Sequence, residues 1–159
     1  VKVGRFLVVA MVLGLSAPAA GQGTGQGTSQ NAGDSDIVRL AGAEWRLHGI
    51  DFPDPRQVCS DGWRAGEVSR AAVQRLTDGA KLDCRNTAKD QYSRAVASCT
   101  IDGEDLGATL VRQGMAWAAL RQTWRYVLDD WMAWFAGNGL YGHPCEKPAE
   151  WRARTSGSR

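Results

Sequence analysis

Trp45-Arg46-Leu47-His48-Gly49-Ile50-Asp51-Phe52-Pro53-Asp54 is the stretch whose reading decides the fold. The alternation around Leu47 and Gly49 suits a short strand. Pro53 stops it, because proline has no N–H to donate to a ladder. The strand carries an arginine at one end and a carboxylate at the other, and a second carboxylate follows the proline. One fixed cation and two acids within nine residues are equipment for holding a phosphate and a metal ion together. An edge strand with a solvated ion pair would read the same in isolation.

Working outward, Asp36-Ile37-Val38-Arg39-Leu40 is an alternating strand that Ala41-Gly42-Ala43 turns back into a strand from Glu44 to Ile50. Gln57 to Gly62 is a loop. Trp63 to Leu76 reads as a helix, with Val68, Ala71, Ala72 and Leu76 at helical spacing and Asp78-Gly79 ending it. Ala80 to Arg85 and Tyr92 to Ile101 form a hairpin around Thr87-Ala88-Lys89-Asp90. Asp105 caps a short helix from Leu106 to Arg112, and a last helix runs from Arg125 to Phe135 until Gly137-Asn138-Gly139. Strands first, a helix between hairpins and helices at the end predict an α+β chain, mainly β. The expected form is a small Greek-key barrel of the OB type packed with about three helices.

The first 20 residues have a basic start (Lys2, Arg5), an apolar run from Phe6 to Leu15 and the small-x-small pattern Ala17-Pro18-Ala19. They read as a secretory signal peptide, so export to the periplasm or medium is expected, with no stable membrane insertion after cleavage. Residues 21–33, rich in Gly, Gln, Thr and Ser, read as a low-complexity linker, and 152–159 as a disordered tail around one domain at 34–151. The whole chain is +2, and without Lys2 and Arg5 it holds 17 basic against 17 acidic residues. With no global positive field, affinity for nucleic acid must be local or metal-assisted.

Four cysteines in an exported chain predict two disulfides, with three possible connectivities. Cys84 and Cys99 fall in consecutive predicted strands, which favours their pairing and leaves Cys59 with Cys145. A zinc site near His143 is the competing reading, disfavoured because the chain has no C-x-x-C pair.

RLHGIDFPD, then a helix, then DQYSRAVASC, then DLGATLVRQGMAWA resembles the staphylococcal-nuclease-like (thermonuclease) family. Its signature runs R-L-x-G-I-D-x-P-E, D-x-Y-G-R-x-x-A and L-V-R-x-G-x-A. The resemblance covers about Asp34 to Trp151. It implies that Arg46 and Arg94 stabilise a phosphoryl transition state, whose spread charge suits guanidinium forks. It further implies a divalent cation, calcium, on Asp36, Asp51 and the backbone carbonyl of Phe52, with Asp54 setting up the attacking water. The chain departs from the pattern at several positions. The family's D-G-D-T reads Asp34-Ser35-Asp36-Ile37 here, and Asp54 is one methylene shorter than the family's glutamate.

Among the seven tryptophans, Trp131 and Trp134 share a helix face with Phe135, a spacing expected of core. Trp45 and Trp117 are also expected to pack. Trp124 and Tyr126 are the candidates for stacking on a nucleoside, and His48 and His143 read as structural histidines. The expected activity is metal-dependent hydrolysis of DNA or RNA phosphodiesters by a monomer, single-stranded nucleic acid being the expected partner. The alternatives are a catalytically weakened OB module that binds single-stranded nucleic acid or an envelope polysaccharide, and a structural envelope protein.

Overall fold

The structure, a computed structural model, describes residues 24–31, 37–40, 43–90 and 93–156. The expected signal peptide and Asp36 lie outside the described residues. Strands run over Thr24–Asn31 (β1), Ile37–Leu40 (β2), Ala43–Leu47 (β3) and Ile50–Asp51 (β4), followed by Lys81–Lys89 (β5), Ala95–Ile101 (β6), Glu104–Asp105 (β7) and Trp117–Ala118 (β8). Helices are Ala65–Thr77 (α1), Leu106–Arg112 (α2), Val127–Ala136 (α3) and Pro148–Ser156 (α4). The fold is α+β, of the OB type expected.

The ladders return to their start. β1 pairs with β2, β2 with β3, β3 in parallel with β6, β6 with β5, and β5 with β1. Val38, Leu40, Leu47, Leu82 and Ala97 fill this ring from the strands, and Leu106, Leu110 and Val111 of α2 cover it. A smaller cluster of Cys59, Ala65, Trp117 and Leu140 lies outside it.

β1 corrects the linker reading for residues 24–31. The segment offers almost no apolar side chain, yet it is a strand joined on both edges. A Cβ on Gly25 would lie 2.7 Å from the Trp45 ring, and one on Gly27 3.6 Å from Leu40. The apolar material over this strand is therefore lent by β2 and β3, and glycine is what leaves room for it. Trp45 is buried for the same reason, as is Trp117 in its own cluster.

The strand read as Glu44 to Ile50 breaks in two at Gly49, whose φ of +78° belongs to the left-handed region. A Cβ there would stand 2.5 Å from Thr123 and 2.9 Å from the Tyr126 ring. The Gly49 N–H donates to Gln122 Oε1 at 3.1 Å, and Ala119 N–H donates to the Gly49 carbonyl at 2.9 Å. The glycine of the R-L-x-G-I-D pattern is thus the seat on which the segment after β8 is fastened.

Both disulfides join the expected pairs. Cys84 and Cys99 are cross-strand partners between β5 and β6, and Cys59–Cys145 ties the loop after β4 to the segment before α4. His143 stacks on Trp63 with centroids 4.3 Å apart and bonds Asp61 at 2.7 Å, beside that second bridge. This hydrogen bond, then one from the Trp63 N–H, holds the Asp61 carboxyl below its ordinary range. The tail expected to be disordered from residue 152 instead continues α4 to Ser156. Its anchor is Trp151, buried, with the Arg56 guanidinium 5.9 Å from the ring centroid.

Candidate active site

Arg46 sits on β3 and Arg94 just before β6, and the parallel β3–β6 ladder places Arg46 opposite Val96. Their guanidinium groups meet on one carboxylate. Asp90 Oδ2 accepts from Arg94 Nε at 2.7 Å and lies 3.8 Å from Arg46 Nη1, while Asp90 Oδ1 accepts the Arg94 N–H at 2.9 Å. Asp90 is nearly buried and both arginines are about one-third exposed at the side chain. Arg46 and Asp90 line a cleft of about 350 Å³ with His48, Lys89 and Gln122. Two forks held by a nearly buried acid beside a cleft are preorganised cations, with much of their ordering cost already met by folding.

Asp90 was read only as a turn residue. The available signal was its place four residues before Arg94, at the head of the D-x-Y-x-R pattern. Between them Ser93 has φ +63°, where the family signature carries glycine. A side chain in that region is strained. Ser93→Gly is therefore expected to stabilise the fold by about 1 kcal/mol, read as a shift of the urea midpoint at unchanged slope. An equal or lower midpoint would show that the serine side chain supplies compensating contacts.

Asp51 ends β4, whose partner is β8. Its Oδ2 lies 3.7 Å from Arg152 Nη2 on α4, a residue assigned by sequence to the disordered tail. The side chain of Phe52 is buried, which leaves its backbone carbonyl as the group of interest. Among the described residues no three His, Cys, Asp or Glu side chains converge. Asp51 and the Phe52 carbonyl are hard oxygen donors, and Asp36 would add a third. In kind this set suits calcium, although the Arg152 guanidinium shares the Asp51 carboxylate.

Asp54 is held in its own turn. Its Oδ1 accepts from the Arg56 N–H at 2.9 Å and from Arg56 Nε at 3.3 Å, while Oδ2 has no hydrogen-bond partner among the described residues. The turn is pinned from several sides. Gln57, fully buried, accepts the Asp54 N–H through Oε1 at 3.2 Å and donates to the Glu146 carbonyl at 2.7 Å. A Cβ on Gly66 of α1 would lie 2.2 Å from the Asp54 carbonyl oxygen. The backbone at Asp54 is thus wedged against a helix.

The two stacking candidates separate. Trp124 is 76% exposed, but Tyr126 is 1% exposed, its ring lying over Gly49 and Gly107 and its hydroxyl donating to Asp105 Oδ2 at 3.3 Å. Burial, then the neighbouring Asp105 carboxylate, pushes the Tyr126 hydroxyl up to about 12. Tyr126 is core, so the expectation that it stacks on a nucleoside is corrected. A place between two helices does not reveal that two glycines have made room for a ring.

A ring of five strands with α2 over it is an OB-type domain, and two arginines meet on one acid at its β3–β6 seam. The chain belongs to the family described as staphylococcal nuclease homologue, whose profile matches residues 44–130. It is also similar to the succinoglycan biosynthesis protein ExoI of Rhizobium meliloti (strain 1021), with 30% identity over 89 residues covering 52% of this chain and 47% of that protein. The chain thus spans about half the length of the curated relative it matches.

Proposed function

We propose that this protein hydrolyses phosphodiester bonds of single-stranded DNA or RNA as an exported enzyme. The observation that carries the reading is the convergence of Arg46 and Arg94 on Asp90 at the cleft edge. In that role the two guanidinium groups meet the charge that spreads over the equatorial oxygens of the phosphorus. Asp90 positions them. Asp54 Oδ2 orients the attacking water and takes its proton. A divalent cation held by Asp36, Asp51 and the Phe52 carbonyl would neutralise charge on the scissile phosphate, and calcium suits those oxygens. Trp124 offers a face for an unstacked base.

The test is cleavage of single-stranded DNA by the oxidised protein, with calcium and with chelator. Metal-dependent cleavage is the expected result, and salt-sensitive binding without cleavage would overturn it. Asp54→Glu restores the family's carboxylate length and is expected to raise the rate by about 10- to 100-fold, since an error near 1 Å can cost about a hundredfold. Gln57 holds the Asp54 N–H and the Asp54 carbonyl lies close against Gly66, so the turn is fixed and the longer side chain is what extends the carboxylate's reach. An unchanged rate in Asp54→Glu would remove Asp54 from the water-handling role.

One observation favours a second reading. The similar protein from Rhizobium meliloti is named for succinoglycan biosynthesis, and OB surfaces also bind oligosaccharides. An envelope polysaccharide is then the ligand, and retention on an acidic exopolysaccharide column without nuclease activity would select it.

A further inference from the structure

α3 is turned inside out. Its acids face the protein and are satisfied there. Asp130 Oδ1 accepts the Ala118 N–H at 2.8 Å and the Tyr141 hydroxyl, and Asp129 Oδ1 lies 3.0 Å from Arg112 Nε. Burial, more than any neighbour, raises the Asp129 carboxyl and the Tyr141 hydroxyl above their ordinary values. The outward face carries Leu128, Trp131, Met132, Trp134 and Phe135, with Trp124 just before the helix. Leu128, Trp131, Met132 and Phe135 follow the i, i+3, i+4, i+7 spacing of a single stripe. Trp131 and Phe135 stack on each other at 5.8 Å. The reading of Trp131, Trp134 and Phe135 as core is therefore wrong for the single chain: Phe135 is 77% exposed and Trp131 58%.

We infer that this face is the contact between two copies of the chain, packed α3 against α3 about a two-fold axis. Area is the first argument. Trp131, Trp134 and Phe135 at these exposures present on the order of 400 Å² of aromatic surface without Trp124, and Leu128 and Met132 add to it. That reaches the upper end of the roughly 300–600 Å² found for the largest patch on monomers. It also approaches the roughly 800 Å² that each side of a stable interface buries.

Charge is the second argument. A helix that lies on a bilayer carries lysine and arginine on its polar face, and a nucleic-acid surface needs them too. α3 contains neither, and its two acids are turned inward. What remains outside is uncharged and aromatic, the composition of an interface centre.

Geometry is the third. The stripe is self-complementary when the helices run antiparallel, because Leu128 of one copy then meets Phe135 of the other and the two Trp131 rings meet near the axis. An isologous contact of this kind needs no other partner.

Sedimentation velocity of the full oxidised chain over a dilution series tests this. A dimer at micromolar concentration that dissociates on dilution is expected, with tryptophan emission shifting to the red as it does. Trp131→Glu combined with Phe135→Glu is expected to weaken the dimer by at least about 30-fold, with far-ultraviolet circular dichroism unchanged. A monomer at all concentrations would overturn the inference, as would a dimer indifferent to the double substitution. So would a monomer that instead partitions onto phosphatidylcholine vesicles through α3. If the double variant does not fold, the unmodified chain decides: dissociation without a red shift places the contact elsewhere.

Discussion

Arg94→Ala is expected to lower phosphodiester cleavage by about 10²–10³-fold, the cost of removing one preorganised donor from a charge-stabilising set. The reason lies in how Arg94 is held. Asp90 takes its backbone N–H through Oδ1 and its Nε through Oδ2, so both the turn and the fork are fixed by one carboxylate that lines the cleft. Its contribution should grow as charge develops on the phosphoryl group. The loss is therefore expected in kcat, with KM changed little. Arg46→Ala, which removes the other cation facing Asp90, is expected to cost a similar factor. The double variant should fall well short of the product of the two, since both arginines act on the same charge. Steady-state kinetics on single-stranded DNA with calcium reads all three. If both single variants retain more than about a third of the wild-type rate, the convergence on Asp90 is an architectural ion pair and the enzyme reading fails.

The second large effect is on stability. Replacing Cys59 and Cys145 together by serine is expected to cost about 4–5 kcal/mol, because the bridge closes a loop across a sequence separation of 86 residues. For a domain of this size that corresponds to a fall in Tm of about 10–20 °C. The matching change at Cys84 and Cys99, with a separation of 15, should cost about 3 kcal/mol in loop entropy. The larger loss also has a local part. The Trp63–His143 stack, the His143–Asp61 bond and the Gln57–Glu146 bond all hold the same seam. Calorimetry of the oxidised variants decides. A Tm within about 3 °C of wild type for the Cys59/Cys145 pair would mean that this seam stays closed without its covalent tie.

How much of this was legible in the sequence can be judged residue by residue. Wherever periodicity and punctuation spoke together, the elements came out close to their true limits. α2 between its Asp105 cap and Gly114 is one case, whereas the β5–β6 hairpin has its expected disulfide but β5 runs through the expected turn to Lys89. What failed was burial supplied from elsewhere. β1 looks like a linker because its apolar cover belongs to Trp45 and Leu40, and no local window contains both partners. Tyr126 looks like a surface aromatic because the cavities that receive it are the missing side chains of Gly49 and Gly107.

α3 failed in the opposite direction. Its spacing of tryptophans is that of a core face, and spacing cannot say whether the wall it packs on belongs to the same molecule. At the site, Arg46 and Arg94 were readable because a motif frames each one. Asp90, Gln122 and Arg152 were not, since each acts only through a residue distant in the chain or across a turn.

The return of the ladder to its first strand has a bearing on assembly. A sheet with a free border can recruit a neighbour through its main chain, and many proteins oligomerise or aggregate that way. Among the described residues each of the five ring strands pairs on either flank over part of its length, and the strands outside the ring, β4, β7 and β8, are two residues each. Growth by strand addition has only short stretches of the described sheet on which to begin. For the described ring, recognition by side-chain shape is favoured over the indiscriminate grammar of the peptide group.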